Sequence, residues 1–411
     1  MVGTFAAVFA LAVTAGATRP GGADTEPGVT ATEITLGGTH PYSGPASAYG
    51  VIGKGAQAYF AYINDKGGVN GRKIVYKDLD DGYSPPQAVQ LVRQLVEQDH
   101  VFAIFNTLGT AVNTAIRPYL NQQRVPQLFV ATGATTWGKD YAKYPWTIGW
   151  QPDYQSEAII YARYVLKTNP NAKIGVLYQN DDYGQDYLTG LTKGLGTKAG
   201  LIVKSVSYEV TDPDVSSQVA SLKSSGADTF FIFATPKFSS QALVAAAQQS
   251  WHPTIYLNNV SNSETVYKAA SSAGGAAATN GVISTLYYKD PSDPKMGNDR
   301  GIQLFRQIMA KYAPGADTAN AFYMYGMGAA FTMVDVLEKA GKDLTRQKLM
   351  TAVTHIHETN NPFVYPGVVV QTTPTNRFPI TQEQLERYES GHPVVFGSLI
   401  DARPIIQAEL R

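Results

Sequence analysis

Cysteine is absent from all 411 residues. Disulfides, thiolate nucleophiles and cysteine-held metal are thereby excluded. An excess of either charge is also missing, since Lys+Arg and Asp+Glu both number 33. That balance argues against nucleic acid as a partner, which would favour a basic surface. Histidine is scarce, at 6. His355 and His357 stand beside Glu358, but two imidazoles and one carboxylate fall short of a metal set. Catalytic signatures are missing too: there is no G-x-S-x-G, no phosphate loop and no H-E-x-x-H. Leu36-Gly37-Gly38-Thr39 follows a strand yet lacks the dinucleotide-binding spacing. Asp80-Asp81 and Asp181-Asp182 read as exposed acids after strand ends rather than as an acid/base pair. The expectation is a non-enzyme with no cofactor.

Long apolar runs are also lacking. Thr4–Ala17 is rich in Ala, Val and Phe and ends in Ala15-Gly16-Ala17, but it is too short to span a bilayer. An apolar core, a small-residue cleavage site and the Gly/Pro/Thr-rich run Arg19–Thr32 describe a secretory signal and a structureless linker, although no Lys or Arg precedes the core. An extracytoplasmic location, periplasmic or at the cell surface, follows. Tyrosine, by contrast, is abundant at 25. It combines an apolar face with a polar tip, which suits ligand clefts.

From Ile34 the chain alternates strands and helices. Ile34–Gly38, Lys73–Lys77, Val101–Phe105 and Gln127–Val130 read as strands. Ala88, Leu91, Val92, Leu95 and Val96 form one helix face behind Ser84 as N-cap and Pro85 as first helical residue. Thr110–Asn121 is the next helix. After Trp150 the rhythm restarts, with strands at Lys173–Tyr178, Leu201–Tyr208, Thr229–Ala234, Thr254–Leu257 and Gly281–Ser284. Helices fall at Gly184–Lys198, Val215–Ser224 and Ser239–Ser250. This order implies parallel sheets covered by helices on both faces, in two similar α/β lobes. The last third is helical over Lys295–Tyr312, Asn320–Ala340 and Thr345–Val353, with strand-like Gly367–Gln371 and Val394–Ile400 at the end.

Two blocks carry a family resemblance. Pro41-Tyr42-Ser43-Gly44-Pro45-Ala46-Ser47-Ala48-Tyr49-Gly50 opens onto a helix. Ile63-Asn64-Asp65-Lys66-Gly67-Gly68-Val69-Asn70-Gly71-Arg72 ends that helix and turns tightly into a strand. Together they resemble the leucine/isoleucine/valine-binding proteins of bacterial ABC importers. The likeness runs from about Ile34 to Ile400. It implies a type I periplasmic binding fold: two Rossmann-like lobes joined by a three-stranded hinge. It places 34–149 plus 287–361 in the N-terminal lobe and 150–286 plus 362–411 in the C-terminal lobe, after a signal-like segment and linker over 1–33. Crossings are expected near Gly149–Asp153, Leu286–Asp290 and Asn361–Pro366. Relatives in Gram-positive bacteria carry a lipid-bearing cysteine near position 17, where this chain has Ala17.

Ligands of open α/β sheets bind beyond the carboxyl ends of the strands. Loops 106–110 and 131–135 supply hydroxyls, backbone N–H groups and glycine there, which suit a carboxylate. The resemblance assigns ligand contacts to Thr107, Leu108, Gly109, Ala131, Gly133 and Thr135. It adds Tyr49 and Tyr183 as aromatic contacts, Thr235 and Phe238 from the second lobe, and Phe322 and Tyr325 from the late helix. It also brings one departure. Family members that bind amino acids place an acid after the fourth second-lobe strand to pair with the ammonium. After Thr254–Leu257 this chain has Asn258-Asn259, with Asn259 facing the ligand and no acid before Glu264. An ammonium enclosed without an anionic partner is costly. The expected solute is an aromatic or aliphatic carboxylic acid, captured by hinge closure as a monomer and delivered to an ABC permease and its ATPase. The alternatives are a branched-chain amino acid-binding protein and a ligand-sensing receptor module of the same fold.

Overall fold

The structure, a computed structural model, describes Gly3 and residues 26–410. The signal-like segment Thr4–Ala17 lies outside the described residues. The linker expected to run to Thr32 is already packed from Glu26. Its carboxylate accepts the Arg346 backbone N–H at 3.2 Å, and the Thr30 carbonyl accepts Arg72 Nε at 2.6 Å.

The first lobe is built on five parallel strands: β1 (Glu33–His40), β2 (Lys73–Asp80), β3 (Ala103–Phe105), β4 (Gln127–Val130) and β5 (Thr147–Gly149), in the order β2-β1-β3-β4-β5. The helix Pro85–Glu97 buries Ala88, Val92 and Leu95 against one face. Pro85 starts it, but the Ser84 side chain makes no capping bond. On the other face, helices Val51–Asp65, Arg300–Tyr312, Ala321–Ala340 and Arg346–Val353 share one apolar cluster with Ile34, Phe60 and Phe105. The late helices therefore return to the first lobe.

The second lobe contains β6 (Ile174–Gln179), β7 (Ile202–Tyr208), β8 (Thr229–Phe233), β9 (Thr254–Leu257) and β10 (Ile283–Leu286) in parallel. β8 is buried along its whole length and lies inside the sheet. Two short strands, β11 (His357–Glu358) and β12 (Val370–Gln371), pair apart from either sheet. The chain then adds β13 (Gln382–Glu389), antiparallel to β10, with β14 (His392–Val395) and β15 (Ile400–Asp401) on it. β13 was not foreseen from the sequence. Its residues QEQLERYE bury Glu383, Gln384, Leu385 and Glu386 in succession, so no apolar alternation marks it. The Val394–Ile400 strand is correspondingly two short ones.

The lobes meet at paired crossing segments. After β10, Lys289 donates its N–H to the Phe363 carbonyl at 2.9 Å, and Tyr365 donates to Tyr287 at 2.9 Å. Asn361–Pro366, the expected third crossing, thus runs antiparallel beside the second through an isolated bridge between Tyr288 and Val364. Val368, Val370 and Ile380 are buried in the first-lobe cluster, so Gly367–Gln371 does not join the second lobe and the chain crosses after Ile380. Among the described residues, no helix is long and apolar enough to cross a membrane.

Candidate functional site

A cavity of about 40 Å³ opens between the lobes at the carboxyl ends of the strands. The first lobe contributes Tyr49, Ile52, Tyr83, Leu108, Gly109, Thr110, Ala131, Phe322 and Tyr325; the second contributes Gln151, Tyr154, Tyr183, Thr235 and Val260; Tyr287 and Tyr288 come from the crossing. Seven of these residues are tyrosines and none is charged. Burial holds the hydroxyls of Tyr49, Tyr83, Tyr183, Tyr287 and Tyr325 far above their ordinary pKa. The wall is therefore electrically neutral throughout the physiological range.

Most of the tyrosine tips are engaged. Tyr49 donates its hydroxyl across the cleft to the Val260 carbonyl at 2.9 Å. Tyr325 donates to Gln151 Oε1 at 3.0 Å. Tyr183 donates to the Asn258 side-chain oxygen, whose amide in turn donates to the Ile232 and Ala234 carbonyls at 3.1 and 3.2 Å. Such fixed rings present apolar faces: Tyr49 sits 5.1 Å from Phe322, and Tyr154 lies edge-on to Tyr183 at 5.3 Å. The polar end is the start of helix Thr110–Gln122. Gly109, at φ 101°, turns the chain into it without a side-chain cap. Its first N–H groups have no partner within the helix and carry a partial positive charge. Backbone N–H groups placed in this way suit a carboxylate or neutral acceptor without a cationic side chain.

A sequence profile of the family described as "Periplasmic binding protein" matches residues 33–384. The chain belongs to that family. It is similar to the "Leu/Ile/Val-binding protein homolog 3" of Brucella melitensis, 28% identical over 319 residues that span 75% of this chain and 80% of that protein. Its fold matches a "branched chain amino acid ABC transporter from Thermus thermophilus with bound valine", with TM-score 0.81, 15% identity, and 92% and 99% of the two chains covered. It also matches a "Fatty acid ABC transporter substrate-binding protein from Thermomonospora curvata", with TM-score 0.77, 21% identity and 95% and 96% coverage.

In this periplasmic binding protein, Tyr49, Leu108, Gly109, Ala131, Tyr183, Thr235 and Tyr325 line the cavity. Five other expected residues do not. Thr107 Oγ1 accepts the Thr39 N–H behind the loop at 3.2 Å. Gly133 lets the crossing chain pass, since a Cβ there would stand 2.2 Å from the Pro152 carbonyl oxygen. Thr135 binds Asp186 of the second lobe through both its N–H (2.8 Å) and its hydroxyl (3.0 Å), joining the lobes beside the cavity. Pro236 begins a helix that carries Phe238 into the core, 4.3 Å from the Tyr208 ring. Asn259 points inward, donating its N–H to Glu157 at 2.8 Å and its amide to Glu383 at 3.4 Å.

Phe322, the other late-helix candidate, lines the cavity as well; Tyr83, Tyr154, Tyr287 and Tyr288 line it unforeseen. Tyr83 follows a strand end and holds a left-handed φ of 63°, so the strand-end rule could have found it. Tyr287 and Tyr288 belong to a segment read only as linker. The paired acids are structural. Asp80 accepts the N–H groups of Tyr42, Ser43 and Gly82, and Asp181 caps the helix at Tyr183 and Gly184. Asp81, expected at the surface, is fully buried and accepts the Tyr83 N–H at 2.9 Å.

Proposed function

We propose that this protein captures a small, largely apolar organic solute outside the cytoplasm and delivers it, by closure of its lobes, to an ABC permease driven by its ATPase. It acts as a monomeric binder and performs no chemistry. The favoured solute is an aromatic or aliphatic carboxylic acid. The observation that carries this reading is the wall itself: rings and aliphatic groups, an uncapped helix start, and no charged side chain. An α-ammonium enclosed there would lose its water without gaining an anionic partner. The likeness to a protein described as a fatty acid transporter's binding protein agrees with this preference. The relatives described as Leu/Ile/Val-binding favour the alternative, a branched-chain amino acid.

Thermal melts separate the two. A ligand that binds only the folded chain raises the melting temperature by mass action, by about 2.7 kcal/mol of stability at a hundredfold excess over Kd. Aromatic and medium-chain aliphatic acids are expected to raise it, and to be recovered unaltered. A rise with leucine, isoleucine or valine, and none with the acids, would establish the amino acid reading instead.

A further inference from the structure

Behind Tyr288 lies a second, small cavity of about 10 Å³, lined by Asn259, Asn262, Thr285, Leu286, Tyr288, Asp290, Ala321 and Glu386. Tyr288 is common to the walls of both cavities. The smaller one has a different character. It is lined by two carboxyl groups and no cationic side chain. Glu386 is 3% exposed, and one of its carboxylate oxygens has no hydrogen-bond partner. The other accepts from Asn262 Nδ2 at 2.5 Å. Asn259 is 2% exposed, and its side-chain oxygen is likewise unpartnered. Half-buried Asp290 receives the Ser292 N–H at 2.7 Å. Lys289, its neighbour in the chain, is engaged by Asp299 at 2.7 Å and does not line the cavity.

Unpartnered buried acceptors are rare and call for a physical explanation. Here an unpartnered carboxylate oxygen and an unpartnered amide oxygen belong to residues of different elements that line one small cavity. Burial raises the pKa of Glu386 to about 8 and that of Asp290 to about 6. Empty, the site favours the protonated form of both carboxyls more than water does. A positive charge in the space would offset that preference, because buried charges persist when paired or when they coordinate cations. All the free donors in this space are oxygens, the set that hard cations and ammonium groups take.

We propose that this side cavity is a cation site, in which Glu386, Asp290 and the Asn259 side-chain oxygen hold one positively charged group. Its wall draws on the second lobe, the crossing segment and Ala321 at the start of a first-lobe helix, so the bound charge also favours the closed arrangement. The inference does not depend on what fills the larger cavity. The same chemistry has two sources: a free inorganic cation, or the amino end of an organic molecule.

The test uses the whole chain at pH 8 and constant ionic strength, with tetramethylammonium chloride as the reference salt because that ion is too large and donates no hydrogen bond. Melting temperature is followed on replacing it with sodium, potassium, calcium or n-propylammonium chloride. A saturable rise of several degrees is expected with at least one of them, and its loss in Glu386→Gln. A rise with a metal ion identifies an inorganic occupant; a rise with propylammonium alone identifies an amine. Equal melting in all salts, or a rise that survives Glu386→Gln, overturns the proposal. Should Glu386→Gln fail to fold, Asp290→Asn serves the same comparison, with a reduced rise expected and an unchanged one overturning it. Absence of any solute response in the larger cavity would leave this outcome untouched.

Discussion

Thr135 illustrates how a residue's task depends on where its atoms point. The loop that carries it was legible as ligand-facing because it follows a strand in an open sheet. Its neighbour Ala131 lines the cavity, whereas Thr135 reaches the other lobe, with its hydroxyl 3.0 Å and its N–H 2.8 Å from Asp186 Oδ2. Thr135→Val keeps the shape and the N–H bond but removes the hydroxyl. A net hydrogen bond is worth about 1 kcal/mol, so the closed state should weaken by that amount and Kd should rise by about fivefold. Titration calorimetry of the variant with a ligand found in the melting screen measures this. Unchanged affinity would mean that Thr135 does not contribute to closure. The remaining misplacements are of the same kind. Phe238 and Asn259 were named from their strand-end positions, but the helix that starts at Pro236 carries Phe238 into the core, and Glu157 draws the Asn259 N–H inward. The direction in which a single side chain points decides such a role, and spacing in sequence does not resolve it.

Among elements, the contact between helices Val51–Asp65 and Ala321–Ala340 is the one on which the cavity wall rests. It is close because glycine allows it. A Cβ on Gly326 would stand 2.0 Å from the Ile52 carbonyl oxygen, and one on Gly55 would stand 2.3 Å from that of Tyr323. Ile52 and Tyr325, the chain neighbour of Gly326, both line the cavity. Gly326→Ala must push the helices apart. Overpacking of this kind costs about 1–3 kcal/mol, so urea unfolding should show a loss near the upper end, accompanied by weaker solute binding. A variant of native stability and affinity would show that the helices have slack at this point. The two helices themselves were expected from the sequence, as were nine of the strands. β13 was not, since it buries Glu383 and Glu386. Glu386, one of the two acids of the side cavity, comes from that strand, and Asp290 comes from the crossing segment. The wall of the main cavity has no acid, and the acids behind it were not foreseen.

At the scale of the whole molecule, buried carboxyl groups set the response to pH. Burial raises the pKa of Glu386 to about 8, of Glu358 to about 7 and of Asp290 to about 6; it also raises Asp153, Glu157 and Glu383. In the unfolded chain these groups ionise near pH 4. Between pH 5 and 8 the native state therefore binds more protons than the unfolded state, and stability falls as pH rises through that interval. His40 acts in the same direction. Burial alone would lower its pKa, but Asp78 and Asp81 outweigh that and raise it, so its contribution too is present at low pH and lost as pH increases. Asp80 and Asp299 act oppositely, because hydrogen bonds hold both below the usual range despite partial burial. Their contribution is lost only as pH falls below about 4. The maximum of stability should thus lie near pH 5, with the melting temperature at pH 8 lower by at least about 5 °C. Melts from pH 4 to 9 in tetramethylammonium buffer read this directly, and Glu358→Gln, remote from both cavities, should shallow the fall. A level profile from pH 5 to 8 would mean that these carboxyls are charged in the native state. That result in the reference salt would also remove the physical need for a cation behind Tyr288, so the profile and the salt series test one electrostatic picture from two sides.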